Sequence, residues 1–123
     1  SLHRLDPLLQ LSPPSGLSRC DATLLCRLWL GVAFTNAYSH LIAMADSPAC
    51  EICGCDETIE HLLCNCPRFQ RERALLAATL RRLDPRPLTE AKILGPWSKS
   101  SSQRTALKAL FKFLKDSGLS ARL

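Results

Sequence analysis

An all-α fold is what this sequence predicts, on three observations. Residues 68–83 and 103–115 carry apolar side chains at helical spacing, and proline and glycine cut the rest into short segments. Five cysteines fall within 17 residues, a density that points to a metal-stapled small domain. The expectation is therefore a small helical domain around one structural metal site, with room for a short hairpin at the cysteines. A length of 123 residues suits one domain. Aromatics supply only 6% of the chain, so leucine and alanine must fill the core.

Taken in order, residues 1–17 read as an extended arm or linker, because Ser12-Pro13-Pro14-Ser15-Gly16 punctuates regular structure. Residues 18–123 form the helical domain, comprising a metal segment at 46–67 and a basic helical tail at 68–123. Ser18-x-x-Asp21 fits a helix start, and the run from Thr23 to Leu30 is apolar on nearly every side, which predicts a buried helix stopped at Gly31. Thr35 caps a second short helix, Asn36 to about Met44, with Ala37, Leu41 and Met44 on one face. Asp46-Ser47-Pro48 breaks it. A short helix from Thr58 carries Ile59, His61, Leu62 and Leu63 and ends before Pro67. The helix at 68–83 presents Phe69, Leu76, Leu80 and Leu83, and Asp84-Pro85-Arg86-Pro87 ends it. Thr89 caps a brief helix to Leu94, and 98–102 is a polar loop. In the last helix, 103–115, Leu107, Leu110, Phe111 and Leu114 follow i, i+3, i+4, i+7, and Gly118 closes it. Cys20, Cys26, Trp29 and Trp97 read as core residues.

The cysteine segment carries the chemistry. Zinc takes four thiolate or imidazole ligands in a tetrahedron, and a structural site closes all four positions with protein atoms. Cys50-x2-Cys53 wraps a metal by turning tightly, with Gly54 relieving strain, and His61-x4-Cys66 supplies the second pair. Zn2+ at Cys50, Cys53, His61 and Cys66 is the expected cofactor site. Cys55 and Cys64 compete: Cys53-x-Cys55 is short for two tetrahedral ligands, and Cys64 could chelate or sit in the core. Catalytic signatures are absent. The sequence has no glycine-rich phosphate loop, no Gly-x-Ser-x-Gly and no His-x-Glu with Pro-Cys-x-x-Cys, and a closed zinc leaves no position for water. The chain is expected not to be an enzyme and to take no small-molecule substrate.

Charge divides the chain. Residues 1–66 hold three arginines against seven acids (net −4), and 67–123 hold 13 Lys and Arg against four acids (net +9). Arg68, Arg71 and Arg82 fall opposite the apolar stripe of their helix. Arg104, Lys108, Lys112 and Lys115, spaced 4, 4 and 3, form one basic strip on the last. Such strips track phosphates, so these seven are the candidate nucleic-acid contacts. The acids Glu51, Asp56, Glu57 and Glu60 keep the metal loop itself away from phosphate. The alternative is a zinc-stabilised interaction module that docks a protein partner through its last amphipathic helix. No apolar run reaches the roughly 20 residues a membrane-spanning helix needs. An odd cysteine count without a secretory pattern in Ser1 to Gln10 favours a reducing, intracellular compartment (cytoplasm or nucleus).

Four strings also carry a resemblance: Asp21-Ala-Thr-Leu-Leu-Cys-Arg-Leu-Trp-Leu-Gly31, Phe34-Thr-Asn-Ala-Tyr38, Ala45-Asp-Ser-Pro-x-Cys50-x-x-Cys53-Gly54 and Glu60-His-Leu-Leu-x-x-Cys66-Pro67-Arg-Phe69. With the ending Phe113-Leu-Lys-Asp-Ser-Gly-Leu-x-x-Arg-Leu123, the chain resembles the C-terminal zinc-binding tail of non-LTR retrotransposon (reverse transcriptase) polyproteins of the tick transposon type. That resemblance implies zinc at Cys50, Cys53, His61 and Cys66 and engagement of element RNA or target DNA. It places the polymerase active site elsewhere in a parent polyprotein. Trp29 and Gly31 stand where the corresponding motif around Arg27 carries a second basic residue, which weakens the case for nucleic acid at that point.

Overall fold

The computed structural model describes residues 16–95 and 97–123; the arm expected at 1–17 lies almost wholly outside them. The all-α expectation holds: no strand forms among the described residues, and the expected hairpin reduces to one antiparallel bridge between Ala49 and Asp56.

Helix α1 spans Arg19–Leu30. The Ser18 hydroxyl accepts from the Asp21 amide at 3.1 Å, and Gly31, left-handed at φ 75°, closes the other end. Its inward face is Leu24, Leu25 and Leu28. Cys26 is half-buried there, but Cys20, expected in the core, is exposed in the first turn, one turn before Leu24. Helix α2 spans Asn36–Leu41, capped by Thr35, and is shorter than the expected 36–44. No residue in it is buried. Leu41 and Met44, expected on one face with Ala37, are 78% and 72% exposed. What holds α2 is its N-terminus: the Asn36 amide donates to the Glu57 carboxylate and the Asn36 side chain to the Ala49 carbonyl.

After the metal loop the short helix expected from Thr58 forms over 59–65, its larger part as a π turn, His61–Asn65, and a 3-10 turn, Pro67–Phe69, follows. Arg73 explains how the π turn ends. Its guanidinium donates to the carbonyls of Leu63 (2.9 Å) and Leu62 (3.0 Å), which the widened turn leaves open. Helix α3 is Gln70–Leu83, α4 is Glu90–Leu94 and α5 is Ser100–Asp116; a 3-10 turn at Leu119–Ala121 follows. Helix α5 starts earlier than predicted, because Ser100 to Ser102 occupy its first turn, where serine is tolerated.

Helices α3 and α5 pack along each other, with Phe69 edge-on to Phe113 at 6.3 Å. Leu76, Leu80, Leu110, Phe113 and Leu114 fill the contact, and Leu25, Leu28, Leu62, Leu63 and Ile93 complete the core. Each such side chain contributes roughly 1.5–3 kcal/mol on burial. Trp29 ties α1 to α4 by donating to the Leu94 carbonyl at 2.8 Å, and Trp97 is half-buried against the core. Cys50 and Cys66 belong to the same core, so the metal segment is part of the packing.

Candidate metal centre

The loop before the π turn is shaped by backbone bonds. The Cys50 amide donates to the Cys55 carbonyl (2.7 Å) and the Gly54 amide to the Cys50 carbonyl (2.8 Å), which folds 50–55 into a tight knuckle. Gly54 sits at φ 78°, a left-handed position that suits glycine. His61 and Cys66 arrive from opposite ends of the π turn, where the Cys66 amide donates to the His61 carbonyl at 2.7 Å. The extra residue in that turn brings two side chains five positions apart onto one side.

The fold brings together Cys50, Cys53, His61 and Cys66, with their donor atoms all within 4.8 Å of one another. The four could hold one metal ion. Cys50, Cys66 and His61 are buried and Cys53 is exposed. A tetrahedral ion with 2.3 Å metal–sulfur bonds needs sulfurs about 3.8 Å apart. The Cys50 and Cys66 sulfurs lie 3.9 Å apart. His61 Nε2 is buried with no hydrogen-bond partner, whereas Nδ1 lies 3.5 Å from Cys55 Sγ. A ring that spends Nδ1–H on an outer acceptor keeps its Nε2 lone pair for a metal.

Electrostatics point the same way. Burial works against a Cys50 thiolate, but the backbone amides of Cys53 and Ile52 and the neighbouring His61 and Cys66 side chains bring it down from 9.0 to about 6. Desolvation of the Cys53 sulfur and the neighbouring sulfurs of Cys66 and Cys50 push that thiol up to about 11. Three thiols at this spacing cannot all ionise without a cation among them, and a divalent ion removes the penalty. Three thiolates around a dication carry a formal −1, and Arg68 answers it with Nη2 3.8 Å from Cys50 Sγ.

Arg68 was expected on the solvent side of its helix. It is exposed, in the turn before that helix, and its guanidinium also lies over the Phe69 ring (4.7 Å) and on Glu57 (3.2 Å) and Cys50. Glu57, expected as a surface acid, is 1% exposed. It accepts from the Asn36 amide, Arg68 and Arg122, and so joins α2, the start of α3 and the C-terminal turn behind the metal loop. Sequence reasoning missed Glu57, Arg122, Arg73 and the contact of Cys55 with His61. Cys64, the other competing thiol, is half-buried outside the cluster and raised by burial. Arg71, Arg82, Arg104, Lys108, Lys112 and Lys115 are all exposed, and of these only Lys112 is ion-paired among the described residues, to Asp116 at 2.9 Å.

No protein-family model, curated protein or solved structure matches this chain. No helix among the described residues is long and apolar enough to cross a membrane.

Proposed function

We propose that the chain is a non-catalytic, zinc-stabilised module that binds nucleic acid along the outer faces of α3 and α5. Three thiolates and one imidazole are a donor set that zinc favours, and their closure leaves no position for a reactive water. The observation that carries the nucleic-acid reading is the basic strip. Arg104, Lys108, Lys112 and Lys115 lie within about 80° of one another around α5, and all are exposed. Arg82 of α3 and Lys112 of α5 line the same groove between the helices, so the two basic faces adjoin. Phosphates spaced along a polynucleotide match such a row, and counterion release drives the contact. The resemblance of the Cys50–Pro67 block to retrotransposon tails supports the same reading, with element RNA or target DNA as the ligand and a reducing compartment as the setting.

Docking of a partner through the apolar side of α5 is less well supported. Ala106, Leu107, Leu110, Phe113 and Leu114 are already buried in the domain's own core. The test is a titration of the zinc-loaded chain with single-stranded and duplex RNA and DNA at two salt concentrations. Affinity should fall steeply with salt and depend little on base sequence. Absence of binding to every polymer at low salt would overturn the reading.

A further inference from the structure

Six of the seven large hydrophobic residues exposed among the described residues fall in one stretch: Leu30, Phe34, Leu41, Ile42, Met44 and Ile52. Phe34 and Leu41 meet through Tyr38. The Phe34 and Tyr38 rings lie 6.0 Å apart, and Tyr38 and Leu41 line an open concavity of about 320 Å3 with Gly31 and Ile59. The turn after α2 is fixed by backbone bonds from Ala43 to His40 and from Met44 to Ser39 (3.0 and 2.7 Å). Ala43 itself is held left-handed at φ 62°, a conformation that costs a non-glycine residue about 1 kcal/mol. Met44 therefore stands out from an ordered turn. Exposed apolar side chains grouped beside a concavity mark interaction sites.

Charge says what covers it. Residues 28–67 contain no lysine or arginine. The cations that reach the stretch from outside, Arg27 over the Phe34 ring and Arg122 on Asn36 and Glu57, lie at the N-terminal end of α2. Asp46, Glu51, Asp56 and Glu60 are exposed in the same stretch, and none of the four forms an ion pair among the described residues. A polynucleotide or an anionic bilayer is repelled by such a surface. Cationic side chains interleaved with apolar ones complement it. We infer that the α2 face is a docking site for a basic amphipathic helix of a protein partner, which seats an apolar side chain in the concavity and places Lys or Arg against Glu90, which lines it, and the exposed acids of the stretch. This site is separate from the basic faces of α3 and α5, and it stands whether or not those bind nucleic acid.

The test uses the metal-loaded full chain, isotope-labelled for amide NMR, and a synthetic leucine/lysine amphipathic helix of roughly 15 residues. Shifts should map to residues 30–46, weaken with added salt, and vanish when glutamate replaces the peptide's lysines. Leu41→Ser with Met44→Ser should lower affinity at least about tenfold. Both side chains are solvent-exposed, so amide shifts elsewhere and metal content should be unchanged. Asp46→Lys with Glu51→Lys should weaken binding and remove its salt dependence. Shifts elsewhere, equal binding of the glutamate peptide, or full binding by the serine variant would overturn the proposal. So would absence of binding at millimolar peptide. Self-association of the free chain through this face, or binding to anionic vesicles lost in the serine variant, would assign another occupant and overturn it as well.

Discussion

Replacing Glu57 with glutamine removes a buried charge that ties the metal loop to α2 and to the C-terminal turn. The carboxylate is 1% exposed and accepts from the Asn36 amide at 2.8 Å, from Arg68 at 3.2 Å and from Arg122. Breaking a fully buried ion pair by removing one partner costs about 3–5 kcal/mol. Here the two arginine side chains are 32% and 35% exposed, so water takes over part of their loss. The amide can still accept from Asn36. These offsets bring the expected cost of Glu57→Gln to about 2–3 kcal/mol, read as a lower urea midpoint at unchanged slope for the metal-loaded chain. A pH series adds a second arm. Burial alone would raise the Glu57 carboxyl, but hydrogen bonds from Arg122 and the Asn36 amide, the Arg122 charge and the Arg68 hydrogen bond hold it below 4.5. A carboxyl depressed in the folded state stabilises above its unfolded value and loses that contribution as pH falls through the folded one. The gap between wild type and Glu57→Gln should therefore narrow below pH 4.5. A cost under about 0.5 kcal/mol at neutral pH, the range of ordinary surface changes, would refute the reasoning.

Cys53→Ser removes an exposed ligand and should weaken metal binding by more than the roughly hundredfold upper end for outer-shell losses, read by cobalt substitution as lost thiolate charge-transfer absorption. Cys55→Ala should weaken it by about 10–100-fold by freeing His61 Nδ1, while Cys55→Ser, whose hydroxyl can accept from the same N–H, should recover most of the affinity in chelator competition. Lys108→Glu with Lys115→Glu should reduce the slope of log affinity against log salt by about 2, uniformly across sequences, as measured by fluorescence anisotropy.

How far the fold could be read depended on whether a residue's partners lie nearby in sequence. Leu107, Leu110 and Leu114 repeat at helical spacing, and their burial in α5 follows from that pattern alone. The ligand cluster was legible for a similar reason, because Cys50, Cys53, His61 and Cys66 carry their geometry in short spacings. Leu41 and Met44 show the limit. They have helical spacing on one face, but among the described residues both are exposed, and spacing cannot reveal whether a neighbour covers a face. Glu57 shows the converse. Arg68 and Arg122 lie 11 and 65 positions away, so nothing local separates this buried ion-pair centre from the exposed acids Asp56 and Glu60. Cys55 was set aside as a ligand by its spacing, which says nothing of an outer contact with the far side of the His61 ring.

The most direct measurement of the central claim is metal content by elemental analysis of the purified, folded chain, followed by chelation. Metal binding in domains of this kind supplies folding free energy, on the order of 10 kcal/mol or more. The account predicts close to one equivalent of zinc, and loss of helical circular dichroism when a strong chelator removes it. Less than about half an equivalent in a chain that remains fully folded, or helical structure indifferent to chelation, would contradict it.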